Sequence, residues 1–347
     1  MPRKIVALTE GYSNPHSAKT ARNLIYYCPK EVVAIFDRNN VGKTSFELLG
    51  VGNLPVIGSL DDIDDANTLI MSIALPGGKL PKQYKEIMMQ AIFKKMNVVS
   101  CGHEFISEDP DLVLAAKSNG VLLTDIRKNN ERGLANREGI NPNCLRILTV
   151  GNDCSLGKMV TSIELARALQ KRGIDAKFVA TGQTGILIEG DGIPIDAVIG
   201  DYINGAAEKL VLQNQHHEIL VIEGQGSISH PRYSPVSVGL LHGTMPHGMI
   251  MCYEVGREFV NNMPGIKIPA MDVLVKLIEK LASVMFPSKV IGFAMYTKKI
   301  SVDAAKNERI RIKEQFGLPA CDVIRDGPEE LIEAIINYKH ELFKHKM

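Results

Sequence analysis

LRILTVGNDCSLGKMVTSIELARAL, residues 145–169, holds three structural signals in a row. The apolar run Leu145–Val150 reads as a buried strand. It ends in Gly151, passes through a short polar loop to Gly157-Lys158, and continues into an amphipathic helix expected over Lys158–Arg172. Strand, glycine-bounded loop, lysine and helix in that order are the context a phosphate-binding loop requires. Successive loop N–H groups form an anion nest, and the free N–H groups and positive dipole end of the helix add to it. The binding segment is Gly151, Asn152, Asp153, Cys154, Ser155, Leu156, Gly157, Lys158, Met159 and Val160. Gly157 allows the chain to approach a phosphate, and Lys158 supplies a mobile charge for the terminal phosphates.

Two departures from the common loop matter. Five residues, not four, separate Gly151 from Gly157. This longer GxDxxxGK form resembles the dethiobiotin-synthetase branch of P-loop proteins. The residue after the lysine, usually a Ser or Thr that ligates Mg²⁺, is Met159. A metal would have to be held by Thr161, Asp153 or Glu223; otherwise the loop binds phosphates without cleaving them. Cys154 is either a small loop residue or, near a helix N-terminus that lowers a thiol pKa, a nucleophile.

Around this segment lies a second α/β block beginning at Leu145. Its further strands are expected at Ala176–Ala180, Ile219–Glu223, Met249–Tyr253 and Val290–Met295. Its helices are expected at Tyr202–Gln213, Met271–Met285, Val302–Phe316 and Glu329–Phe343. An earlier block shows strands at Lys4–Leu8, Glu31–Phe36, Pro55–Ile57, Thr68–Ala74, Asn97–Ser100 and Val121–Thr124, with helices near Ser17–Tyr27, Pro81–Lys95 and Pro110–Ser118. Short apolar strands alternating with helices imply parallel sheets covered on both faces. The polar stretch Lys128–Asn143 reads as a linker. The expected architecture is thus α/β with two doubly wound domains: residues 1–143 Rossmann-like, and residues 144–347 a P-loop domain with a mostly parallel sheet. Ligands are expected beyond the carboxyl ends of the strands.

Other strand ends supply candidate partners. Glu223 closes an apolar strand at the Walker-B position, where an acid reaches a metal or its water. Thr181-Gly182-Gln183-Thr184-Gly185 follows another strand, and Gln183 and Thr184 suit polar substrate contacts. Asp201 is expected to N-cap the following helix, and as a substrate ligand also to face the site. His230 can move protons near neutral pH, and Arg232 can hold a carboxylate or phosphate. His242 and His247 are further candidates. In the first block no GxGxxG follows the first strand; Thr9-Glu10-Gly11-Tyr12-Ser13 stands there instead. Asp37 nonetheless sits where a ribose-binding acid would. Asn40-Val41-Gly42-Lys43-Thr44 imitates the tail of a phosphate loop without its opening glycine and reads as an ordinary loop. Pro76-Gly77-Gly78 and Gly102-His103-Glu104 mark the expected cleft of this block.

Composition narrows the classes. The chain of 347 residues exceeds one ordinary core. A net charge of +1 provides no field that would recruit nucleic acid or an anionic membrane. With 5 % aromatics and no Trp, stacking platforms for single strands are not expected. Six scattered cysteines without a CxxC pair fit neither a disulfide framework nor structural zinc. No apolar run reaches the roughly 18 residues of a membrane span, and the opening residues lack a signal-peptide core. A cytoplasmic protein is expected.

Taken together, SAKTARNLIYY (17–27), GHEFISEDPDL (102–112), LLTDIR (122–127), GNDCSLGKM (151–159), ATGQTG (180–185), GDYINGAAE (200–208) and IEGQGSISHP (222–231) resemble the family of D-glutamate N-acetyltransferase-like P-loop proteins over nearly the whole chain. The resemblance implies acetyl transfer from acetyl-CoA to the amino group of D-glutamate or a related amino acid. The phosphates of CoA give the loop a task without hydrolysis. Glu223 or His230 would act as base, loop N–H groups or Lys158 would stabilise the oxyanion, and Arg232 would grip a substrate carboxylate. Two alternatives fit the residues. One is an ATP- and Mg²⁺-dependent ligase or kinase of the dethiobiotin-synthetase type, with Asp153 and Glu223 on the metal. The other is a nucleotide-binding module without turnover. The partner expected is a small amino acid or carboxylate. The first block either completes the substrate cleft or supports a homo-oligomer interface.

Overall fold

The computed structural model describes residues 2–73 and 79–344. The chain forms two compact units, residues 1–129 with 186–190, and residues 130–185 with 191–347. The stretch expected as a linker therefore belongs mostly to the second unit. It is held there by the buried Glu208 carboxylate, which accepts the Asn136 and Arg137 N–H groups at 2.8 and 3.0 Å. A polar sequence without apolar period gives no sign of such anchoring, because the apolar face is supplied by the element it rests on.

The first unit comprises β1 (Ile5–Leu8), α1 (Lys19–Tyr27), β2 (Val32–Phe36), α2 (Ser45–Leu49), β3 (Val56–Ile57), β4 (Thr68–Met71), α3 (Lys82–Phe93), β5 (Asn97–Ser100), α4 (Pro110–Asn119) and β6 (Leu123–Asp125). All strand pairs are parallel, in the order β3-β2-β1-β4-β5-β6. This is the order of the doubly wound Rossmann sheet. Strand β1 is buried throughout, as a central parallel strand must be. The Asn40–Thr44 run is a loop, as expected, and Thr44 N-caps α2 with a capping box to Glu47. Pro76-Gly77-Gly78 lie outside the described residues.

The chain continues with β7 (Leu145–Gly151), α5 (Lys158–Lys171), β8 (Ala176–Val179), α6 (Gln183–Glu189), α7 (Ile203–Asn214), β9 (Ile219–Ile222), α8 (Ser234–Thr244), β10 (Gly248–Glu254), α9 (Met271–Ala282), β11 (Lys289–Tyr296), α10 (Val302–Phe316), β12 (Ala320–Cys321) and α11 (Glu329–Phe343), all in the second unit except residues 186–189 of α6. The sheet is parallel with order β12-β11-β10-β7-β9-β8. The loop strand β7 thus lies between β9 and β10; the chain passes from it through α5 to the edge strand β8, and crosses from β9 to β10 on the other side of β7.

Sequence periodicity misses α8. SPVSVGLLHGT is apolar on nearly every side and so has no amphipathic period. It packs against α7 through glycines: a Cβ on Gly243 would lie 2.4 Å from both Ala207 Cβ and the Asn204 carbonyl. The two-residue strand β12 is too short to carry a pattern. The segment Gln183–Glu189, for which no helix was expected, is helix α6.

Candidate phosphate-binding site

Gly157, the last loop residue, has φ +89° with open space where a Cβ would be. Its requirement is conformational, because only glycine adopts this backbone without strain. Ser155 shares the left-handed region at φ +58°. Together they curl the loop and begin α5, whose first N–H groups have no acceptor within the helix. Lys158 is 6 % exposed. Its Nζ folds back and donates to the Asp153 carbonyl at 2.8 Å. Burial pulls its pKa down, opposed by the neighbouring Cys252, Cys154 and Asp153.

Asp153 is wholly buried. Its Oδ1 accepts the Cys154 N–H at 2.7 Å, and its Oδ2 accepts the Asn261 N–H at 2.7 Å and Arg257 Nη1 at 2.8 Å. Burial pushes its pKa up, but the Asn261 and Cys154 N–H groups and the Arg257 guanidinium outweigh this, so it lies below the ordinary carboxylate value. Arg257 also donates to the Cys154 carbonyl at 3.0 Å and pairs with Glu254 at the end of β10. Lys299 reaches Glu254 from the other side at 2.5 Å. One guanidinium thus ties the loop to the neighbouring strand end.

The sequence reading missed Arg257 and Asn261. They stand about a hundred positions from the loop, and the only local sign was the strand-ending GluValGlyArg of residues 254–257. Replacing Arg257 with alanine should destabilise the fold by about 3–5 kcal/mol, the cost of leaving a buried charge without its partner. Because Asp153 is more acidic folded than unfolded, its contribution is full above about pH 3.9 and is lost as pH falls through its folded value. The variant should lose part of that stabilisation. Urea melts at pH 7 and acid titrations followed by circular dichroism, with the variant's acid midpoint at higher pH, check this.

His230 is 1 % exposed. Its Nδ1 accepts the Arg232 N–H at 3.1 Å, so the proton of the neutral ring resides on Nε2. That atom faces Asp153 Oδ1 at 3.6 Å and Cys154 Sγ at 3.9 Å. Burial lowers the His230 pKa, with Asp153 opposing, which favours the neutral ring. Asn261 Nδ2 approaches the same sulfur at 3.9 Å. Asp153, Cys154 and His230 have ligand atoms within 4.8 Å of one another. They do not suit a metal as arranged: both Asp153 oxygens accept N–H bonds, and Nε2 carries the ring proton.

Glu223 follows β9 directly, as expected, but its carboxylate turns toward β8. Its Oε2 accepts the Thr181 and Gly182 N–H groups at 2.9 and 3.1 Å. Burial is the main reason its pKa is pushed up to about 7. Mg²⁺ likewise finds no ready set here, since Met159 offers no oxygen and the Thr161 hydroxyl is buried against Cys252 Sγ at 3.7 Å.

Gln183 and Thr184 begin α6 and are half-buried. Asp201 corrects an expectation: it is exposed in a 3₁₀ turn, Gly200–Tyr202, and α7 starts after Tyr202 without a side-chain cap. The turn before the helix takes up the residues that a simple N-cap would have used. Arg232 is exposed. His242 Nε2 lies 3.1 Å from the Leu281 carbonyl. His247 Nδ1 accepts the Arg146 N–H at 3.1 Å, at the opposite ends of the strands from the loop. Both are structural contacts. In the first unit Asp37 is buried and accepts from the Gly11 N–H, Ser13 Oγ, the Asn39 N–H and Asn40 Nδ2. A ribose reader keeps those lone pairs for its ligand; Asp37 spends them on the loops around it.

The fold and this loop define a two-domain protein, a Rossmann-like domain followed by a P-loop domain. The chain belongs to the family whose models are described as the domain-of-unknown-function DUF1611 P-loop domain, matching residues 133–332, and its N-terminal Rossmann-like domain, matching residues 38–129. It is 36 % identical over 268 residues to a "D-glutamate N-acetyltransferase" of Pseudoalteromonas sp, covering 77 % of this chain and 80 % of that one. It is 35 % identical over 271 residues to a protein of the same name from Tritonibacter scottomollicae, covering 78 % and 81 %. The crystal structure of a DUF1611 family protein from Anabaena variabilis superposes with a TM-score of 0.90 at 32 % identity, over 96 % of this chain and 99 % of that one. Among the described residues no helix is long and apolar enough to cross a membrane.

Proposed function

We propose that the chain transfers an acetyl group from acetyl-CoA to the amino group of D-glutamate or a closely related amino acid. The observation that carries this reading is a phosphate loop whose metal position is Met159 and whose nearest acid, Asp153, already accepts three N–H bonds. Such a loop suits a ligand whose phosphates are held rather than cleaved. The names of the two relatives support the same reaction.

Acetyl-CoA supplies the activated acyl group. The curled loop and the start of α5 hold its phosphates. The incoming ammonium must lose a proton before its nitrogen attacks the thioester carbonyl. Glu223, with its pKa raised to about 7, takes that proton directly or through one water. The proton on His230 Nε2 makes this ring a donor rather than the base. Together with Lys158 it stabilises the oxyanion, whose collapse breaks the carbon–sulfur bond, leaves the acetyl group on the amino nitrogen and expels CoA as a thiolate that takes up a proton to leave as the thiol.

Glu223 is a base only when ionised, so the rate should rise as pH increases through about 7. Glu223→Gln keeps an oxygen for the Thr181 and Gly182 N–H groups. It should lower D-glutamate-dependent thiol release about 10²- to 10⁴-fold and abolish that limb of the pH profile. Full activity in this variant would remove Glu223 as the base.

A further inference from the structure

A cavity of about 270 Å³ opens beside the phosphate loop, between the end of β10 and α10. Its charged wall consists of Arg257 and Glu254 from the strand end and Arg311 and Glu308 from α10. Two cations and two anions make it neutral overall but strongly polar. Arg311 is held by Glu308 through two bonds of 2.7 Å, and Glu308 is held in turn by the Tyr253 hydroxyl at 2.8 Å.

Asn152, the second loop residue, also contributes to the wall. It is 5 % exposed, and its Oδ1 is buried without a hydrogen-bond partner. An unmet buried acceptor costs about 1–3 kcal/mol.

We propose that this pocket seats the acceptor: a free amino acid with its carboxylates toward Arg257 and Arg311 and its ammonium toward the phosphate loop. This rests on the acetyl-transfer reading and assigns the acceptor's place within it. The charge pattern selects the class. A zwitterion with separated charges matches a wall carrying both signs, whereas a polyphosphate would meet Glu254 and Glu308. The volume of about 270 Å³ accommodates an amino acid. Two guanidiniums suit two carboxylates, which favours a dicarboxylic amino acid.

Steady-state kinetics of the full chain test the assignment. Arg311→Met should raise KM for D-glutamate tenfold or more while KM for acetyl-CoA stays within twofold, and Arg311→Lys should recover part of the loss. The exchanged pair Glu308→Arg/Arg311→Glu separates binding from structure. It restores a salt bridge, so D-glutamate affinity should stay low if Arg311 reads the substrate and return if the pair only braces α10. KM values that are unchanged, or that shift together, overturn the proposal, as does recovery in the exchanged pair.

If the chain shows no acetyl transfer, calorimetry with D- and L-amino acids, and with glutarate as the ligand lacking an ammonium, separates the two failures. An amino acid that binds, outcompetes glutarate and is lost in Arg311→Met upholds the pocket without that reaction. No binding by any amino acid overturns it.

Discussion

Lys158→Ala should abolish D-glutamate-dependent thiol release from acetyl-CoA, by about 10²- to 10³-fold or more. That is the range seen when one preorganised donor to a developing oxyanion is removed. Two losses combine in this variant: the mobile charge for the donor's phosphates and a cation beside the reacting carbonyl. The side chain also fills space, because it is 6 % exposed and runs beneath Gly224. The variant's melting temperature must therefore be read alongside its rate. D-glutamate as acceptor with L-glutamate as control, at saturating acetyl-CoA, makes the measurement. A folded Lys158→Ala protein with undiminished release would show that the loop lysine takes no part. No release from the folded, saturated parent chain would exclude D-glutamate as acceptor, and Mg-ATP chemistry with a carboxylate or amine would be tried next.

A large effect on stability is expected at Gly224, the residue after Glu223. A Cβ there would lie 1.6 Å from the Thr149 carbonyl oxygen, inside any van der Waals contact, and the obstacle is backbone of the central strand. The Gly224 N–H meanwhile donates to Thr149 Oγ1 at 2.9 Å, so the turn cannot move away without breaking that bond. Overpacking where side chains can adjust costs about 1–3 kcal/mol; here β7 or the turn itself must shift. Gly224→Ala should cost at least the upper end of that range, seen as a lower urea midpoint or as insoluble protein. Gly157→Ala makes a useful contrast. It meets no neighbour, and its penalty of about 1 kcal/mol comes from a left-handed backbone alone. Equal melting points for Gly224→Ala and the parent would show that the approach is looser than 1.6 Å implies.

The parts that sequence revealed and those it hid differ in one physical respect. The phosphate loop was legible because strand, loop, lysine and helix are consecutive, so their chemistry is local. The Rossmann-like and P-loop classes followed from alternating buried strands and helices. Glu223 was found at its strand end, but not its orientation. Its bonds to Thr181 and Gly182 depend on which strand neighbours β9, and strand order is not written in periodicity. Arg257 and Asn261 were invisible for the same reason, since they reach Asp153 only because β10 lies beside β7. His230 was singled out as a candidate base, yet its protonation pattern rests on a backbone N–H two residues away. The anchoring of residues 136–137 by Glu208 could not be read from a polar stretch that resembles any linker.

The bond from Lys158 to the Asp153 carbonyl has a consequence for the time course of ligand capture. The loop carries its own occupant for the ammonium, so an arriving phosphate competes with an intramolecular acceptor. Molecules in which the lysine is released are a fraction of the total, and the apparent dissociation constant is the intrinsic one divided by that fraction. If release precedes capture, the observed association rate will level off at high ligand concentration, at the rate at which the lysine lets go. Ligands that differ only in the part remote from the phosphates will then share one plateau and differ in how fast they leave.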